Sequence, residues 1–151
     1  MAKKLYRITF IFIFLFTSGL LARETVSITG KEWINFSDTV KTLYLKGFLK
    51  GLKLSRTILE KSINDERKIN FDFIMPTYIF VTLKKIEKYE FNRICPLDEM
   101  VKRIDLIYAE ELNLGIPVDI VILSIVERKL GNPEKADRIL IEARKSLIKE
   151  E

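Results

Sequence analysis

The sequence contains no histidine. That absence removes imidazole as a general base, the Ser–His and Cys–His nucleophile pairs, and every metal site that draws on a His ligand. One cysteine, Cys95, excludes an intrachain disulfide and any CxxC metal or redox motif. Glutamine is missing while Lys, Glu and Ile are abundant, a balance seen in thermophile proteins. No glycine-rich phosphate loop is present, because Gly47-x-x-x-Gly51 falls mid-helix with no Lys-Ser/Thr behind it. With 48% apolar and 31% charged residues in 151, the chain suits one globular domain rather than a disordered or polytopic membrane protein.

Much of the basic excess belongs to the first 22 residues. They carry Lys3, Lys4 and Arg7 and no acid, and without them 23 basic residues face 21 acidic ones, a net +2. A balance that close argues against nucleic-acid binding, which concentrates basic charge on one face. After Met1–Arg7 comes the apolar run Ile8–Phe16, interrupted only by Thr9, then Thr17-Ser18-Gly19 and Leu20-Leu21-Ala22. A charged start, a short apolar stretch and a small final residue are the parts of a secretory signal peptide, cleaved after Ala22. The stretch of about 15 residues is short of the ~20 needed to span a bilayer, so retention as an anchor is the less favoured alternative. The expected location is periplasmic or secreted. In an oxidising compartment an unpaired Cys95 is either buried or bridges a dimer, and its setting between Ile94 and Pro96-Leu97 favours burial.

The remaining chain reads as all-α, a single-domain bundle of four or five helices over residues 37–151, preceded by an extended lead-in over 23–36 pinned by Trp33 and Phe36. Ser37 is a good N-cap for a helix over Asp38–Lys61. Its apolar positions Val40, Leu43, Tyr44, Phe48, Leu52, Ile58 and Leu59 recur at helical spacing and imply a buried stripe. Gly47 and Gly51 lie on that stripe. Each costs about 1 kcal/mol of helix propensity, so a helix or aromatic ring of the same chain is expected against them, with a ligand as the sharper alternative. Asn64–Lys68 reads as a loop. Phe71 and Phe73 alternate like a short strand before Pro76, and Thr77–Glu90 fits a helix.

The later elements are better punctuated. Pro96 opens a helix to about Leu112, with Met100, Ile104, Ile107 and Tyr108 inward and i,i+4 pairs Asp98→Lys102 and Glu99→Arg103 outside. Pro117 opens the next, where Val118–Val126 is apolar almost all round and implies a central helix closed by Gly131. Asn132-Pro133-Glu134 begins the last helix, to about Lys149, with Ile139, Leu140, Ala143 and Leu147 inward and Glu134→Arg138 outside.

Little chemistry is left to assign. The acidic cluster Asp105, Glu110, Glu111 and Asp119 is the only candidate for carboxylate chemistry, but Glu110 and Glu111 point about 100° apart on a helix and cannot converge on one substrate. Solvated helix ends explain these acids, and the spaced Asp/Asn loop of a calcium site is missing. Lys46, Lys50 and Lys53, with Arg56 and Lys61, form a basic strip that reads as a solvated face, the alternative being an anionic partner. No aromatics interleave with it, as single-stranded nucleic acid would require. No catalytic residue, cofactor or metal is therefore expected.

Two blocks carry a resemblance. Trp33-x-x-Phe36-Ser37-x-x-x-Lys41-x-x-Tyr44-x-x-Gly47-Phe48-x-x-Gly51 is one, and Asp105-x-x-Tyr108 with Asn113-x-x-Ile116-Pro117-Val118 and Gly131 is the other. They resemble small exported bacterial helical proteins, and loosely the periplasmic immunity proteins that neutralise type VI secretion amidases. The cysteines those proteins carry near the glycine-containing helix are Thr, Leu and Ser here. The resemblance implies that Trp33, Lys41, Tyr44, Gly47, Gly51, Asp105, Tyr108 and Asn113 gather in one region as a binding site. The functional expectation is a non-catalytic protein acting through a protein or envelope partner. An immunity-type inhibitor would carry an apolar or acidic protrusion. A small-ligand domain would instead hold a pocket against Gly47 and Gly51, lined by Trp33, Tyr44 and Tyr108.

Overall fold

The computed structural model describes residues 27–149, so the signal-peptide reading lies outside the described residues. Among the described residues six helices follow one another: α1 (Gly30–Trp33), α2 (Asp38–Ile69), α3 (Thr77–Tyr89), α4 (Leu97–Tyr108), α5 (Val118–Lys129) and α6 (Pro133–Lys149), with 3-10 turns at Phe91–Arg93 and Glu111–Asn113. No strand occurs among the described residues, only an isolated antiparallel bridge between Thr29 and Pro117. The all-α expectation is met, with five helices of twelve residues or more and one additional single turn.

That turn corrects the extended lead-in. Ile28 and Thr29 are extended, the Ile28 carbonyl accepting from the Val118 N–H at 2.8 Å, and the chain then coils because the Glu32 carboxylate accepts from the Thr29 N–H at 2.6 Å. Gly30 makes the approach possible. A Cβ there would stand 2.5 Å from the Tyr108 ring and 2.9 Å from the Leu114 backbone. We expect Gly30→Ala to lower stability by about 2 kcal/mol, because backbone on one side cannot yield; a urea melt of the variant measures it.

Helix α2 starts where Ser37 predicts, its hydroxyl accepting from the Val40 N–H at 3.4 Å, but it runs eight residues past Lys61. Asn64–Lys68 is helical, not a loop. Polar residues such as Glu66, Arg67 and Lys68 are good helix formers, and nothing breaks the helix before Asn70. Nor do Phe71 and Phe73 form a strand: the Asn70 carboxamide oxygen accepts from the Asp72 N–H and its carbonyl from the Phe73 N–H, folding these residues into a turn.

The core is built around α5, which buries Val118, Val121, Ile122, Ser124, Ile125, Val126 and Glu127. This is the central helix expected from the apolar run. Helix α6 packs on it most extensively, α4 packs on it as well, and α2 contacts α3 and α4. Gly131, at φ +82°, ends α5 as its spacing predicts. Cys95 is buried and unpaired, and burial, reinforced by the Glu99 carboxylate, pushes its thiol pKa up. Of the three expected i,i+4 pairs, Glu99–Arg103 forms at 2.7 Å; the other two are not among the ion pairs.

The face of α2 is the main correction to the packing. Lys41, Leu45 and Ile63 are its buried residues, with Tyr44, Phe48 and Leu49 half-buried against the core. Val40, Leu43 and Ile58, expected inside, are exposed. The helix is apolar on two sides, and the side turned to the core carries Leu45 and Phe48 together with Lys41, whose charge is met by Asp105.

Candidate functional site

Asp105 on α4 accepts from two residues distant in sequence: the Trp33 indole N–H at 2.8 Å and the Lys41 ammonium at 2.9 Å, both on Oδ1. Trp33 is fully buried. Its ring meets Tyr44 edge-on with centroids 5.9 Å apart, and the Lys41 nitrogen stands 5.7 Å from its centroid. Desolvation explains why these partners are obligatory: a buried ammonium or indole N–H without an acceptor costs several kcal/mol. Trp33, Lys41, Tyr44 and Asp105 are therefore brought together, as expected. Tyr108 lies beside them over Gly30 and donates its hydroxyl to the Ile116 carbonyl at 2.9 Å. Burial, followed by the neighbouring Asp119 charge, raises the pKa of Tyr44; burial, then Tyr44 and Asp119, raises that of Tyr108. Both phenols are held neutral, and Tyr108 is the one that donates.

Asn113 belongs to a second cluster. Its amide N–H donates to the Ile107 carbonyl at 2.7 Å and to Glu110 at 3.2 Å, and its oxygen accepts from Arg144 at 2.7 Å. Arg144 closes the ring on Glu110 at 2.8 Å. These bonds staple the α4–α5 connection to α6. A cleft of about 290 Å³ runs beside them, between Arg103, Ile107, Leu140 and Arg144.

Gly47 and Gly51 join neither cluster. Both are exposed, and nothing lies within 4 Å of where a Cβ would stand. The expectation that this chain packs on them fails, because they lie on the outer side of α2. We expect Gly47→Ala and Gly51→Ala each to raise stability by about 1 kcal/mol, by removing backbone entropy from an exposed helix. Calorimetric melting of the two variants measures the gain.

A third cluster has no advance signal. Glu127 is completely buried, yet it accepts from Lys88 at 2.7 Å and 2.8 Å, Lys135 at 2.7 Å, Asn132 at 3.1 Å and the Tyr89 hydroxyl at 3.4 Å. Burial by itself raises a carboxyl pKa, but hydrogen bonds from Lys135, Lys88 and Asn132 outweigh it and hold Glu127 at about 2. The residue opens the run Glu127-Arg128-Lys129 at a helix end, which in sequence looks like an ordinary solvated terminus.

The remaining feature is an exposed one. Between Ile63 and Phe91 no side chain is buried, so the far end of the α2–α3 hairpin stands clear of the body. Its tip carries Phe71, 98% exposed, with Ile74, Ile69 and Tyr78 at 87%, 82% and 71%. Large apolar side chains grouped on a connection are unusual, because connecting segments are normally polar and contiguous apolar patches mark contact surfaces.

No protein-family model, curated protein or solved structure matches the chain. Among the described residues, no three carboxylate or cysteine side chains group as a metal site, and no helix is long and apolar enough to cross a membrane.

Proposed function

We propose that this chain is an exported, non-catalytic helical protein that acts by binding a protein partner in the cell envelope, with the α2–α3 hairpin as its docking element. The observation that carries the reading is the exposed tip of Ile69, Phe71, Ile74 and Tyr78, held away from the body on two helices. Burying those side chains at an interface would release apolar surface that now faces water, at roughly 25 cal/mol per Å² before the costs of association. The sequence of the first 22 residues supports export. The internal clusters support a scaffold role, since Trp33, Lys41, Asp105, Asn113 and Glu127 all spend their polar groups on other residues of the chain.

A narrower form of the same reading is an immunity-type inhibitor of a periplasmic hydrolase. An apolar protrusion able to enter a cleft favours it, together with the block resemblance. The small-ligand reading gains no such support, because Gly47 and Gly51 face solvent rather than a pocket under Trp33 and Tyr108.

The test is site-specific photocrosslinking in the native envelope, with a benzophenone amino acid placed at Phe71 or, as a control, at the exposed Glu142. One defined protein adduct from position 71 and none from 142 is the expected result. No adduct, or the same adducts from both positions, would reject the hairpin as a docking element. Phe71→Asp with Ile74→Asp is expected to abolish the adduct while shifting stability by less than about 0.5 kcal/mol, as for surface substitutions in general.

A further inference from the structure

The second side of α2 raises a question of charge that the hairpin does not answer. From Thr39 to Leu59 the helix has no acidic residue but carries Lys41, Lys46, Lys50, Lys53 and Arg56. The fold supplies carboxylates to the two cations it draws inward: Lys41 pairs with Asp105 at 2.9 Å and Arg56 with Glu90 at 3.0 Å. Among the described residues, the side chains of Lys50 and Lys53 have no ion-pair or hydrogen-bond partner, and neither has that of Arg93, on the 3-10 turn after α3.

These three cations surround one depression. A cleft of about 300 Å³ is lined by Lys50, Lys53, Arg56, Arg93, Asn92 and Glu90, with Leu49 as its apolar wall. Glu90 is already committed to Arg56, so three cations of the lining form no ion pair, and Glu87 is a further carboxylate that feels the charge of Arg93. The donors are two flexible ammonium groups, a planar guanidinium and a carboxamide, with α2 and the 3-10 turn as separate walls. That mixture suits a tetrahedral oxyanion: Arg offers a fork to two oxygens, and Lys closes on the others as a point charge. The cleft is larger than a bare oxyanion requires, and Leu49 offers contact to an organic portion.

We propose that this cleft binds a phosphate group carried on an organic moiety, a phosphomonoester or phosphodiester, with Lys50, Lys53 and Arg93 as its charged ligands and Arg56 held in place by Glu90. The site stands independently of the hairpin, so either reading survives the failure of the other. Two sources supply this chemistry, an anionic phospholipid headgroup and a soluble phosphate ester.

The experiment follows backbone amide shifts of the labelled protein during titration with inorganic phosphate and then glycerol phosphate, at ionic strength held constant with chloride. Saturable shifts confined to residues 49–56 and 90–93 are expected, with tighter binding of the ester. Arg93→Gln and Lys53→Gln are each expected to weaken binding about fivefold or more, the effect of losing one charge-assisted hydrogen bond. Lys46→Gln removes the same charge from the same helix outside the cleft and is expected to leave binding unchanged. These side chains are exposed, and melting curves confirm that each variant folds. Vesicles of phosphatidylcholine with and without phosphatidylglycerol separate the sources: phosphatidylglycerol-dependent binding that Arg93→Gln abolishes assigns the headgroup, and binding of the soluble ester alone assigns the metabolite. Either supports the site. Equal loss in Lys46→Gln, identical shifts with chloride alone, or no saturable shift with phosphate or its ester would overturn it.

Discussion

Glu127→Ala is expected to destabilise the protein by about 3 kcal/mol, at the lower end of the range for breaking a buried ion pair. The carboxylate is wholly inside and joins three elements: Lys88 from α3, Asn132 before α6 and Lys135 within it. Its loss leaves no partner for two ammonium groups and an amide at once. Lys88 and Lys135 keep 29% and 47% side-chain exposure, so both can turn back to water, which limits the cost. The acid limb of the stability profile tests the same group. Its folded pKa of about 2 lies below the ordinary 4.5, so the unfolded chain takes up the proton first as pH falls. The stabilisation is complete above about pH 4.5 and disappears as pH descends through about 2. Urea midpoints for the native protein are expected to fall across that window, and for Glu127→Gln to fall less steeply. Parallel profiles for the two proteins would show that the carboxylate is not carrying the effect.

The second large effect is expected at Asp105. Asp105→Ala removes the acceptor of both Trp33 and Lys41, and the buried members of the pair are the ones left without a partner. The Asp105 side chain is 40% exposed, so water can enter where it stood, and a cost of about 2 kcal/mol is expected rather than the full penalty of a stranded buried charge. The order of variants is diagnostic. Lys41→Met keeps the apolar stem over the indole and is expected to cost less than Asp105→Ala. Combining the two is expected to cost less than their sum, because the ammonium that suffers from losing Asp105 is then gone. A double-mutant cycle in urea measures this, and strict additivity would mean that the pair contributes nothing.

Helix-rich architecture was legible because punctuation and periodicity agree in the second half of the chain. Pro117, Gly131 and Pro133 bracket α5 and α6, and the run Val118–Val126 has no polar face to mislead. Helix α2 was harder for a physical reason. Periodicity reports that a helix has an apolar side, but here Val40, Leu43 and Ile58 make one such side and Tyr44, Leu45 and Phe48 another. The side turned inward includes Lys41, whose partner Asp105 is 64 residues away in sequence and invisible to local periodicity. The same limit divides the candidate residues. Trp33, Lys41, Tyr44 and Asp105 converge because each needs the others when buried. Gly47 and Gly51 are grouped with them by the block resemblance, and their missing side chains leave nothing to be satisfied. Glu127 is not legible in the sequence because its burial depends on Lys88 and Lys135 arriving from two other helices.

Trp33 is the sole tryptophan of the chain, and its environment assembles from three separated stretches: Tyr44 on α2, Asp105 on α4, and the lead-in anchored at Val118. Indole emission is thus a built-in optical reporter of closure between the beginning and the later half of the fold. Far-ultraviolet dichroism reads the coiling of the helices and Trp33 fluorescence reads the burial of one ring, so the two signals report different events during refolding. Helix signal appearing ahead of the blue-shifted emission would time the docking of the chain's two halves without any added label.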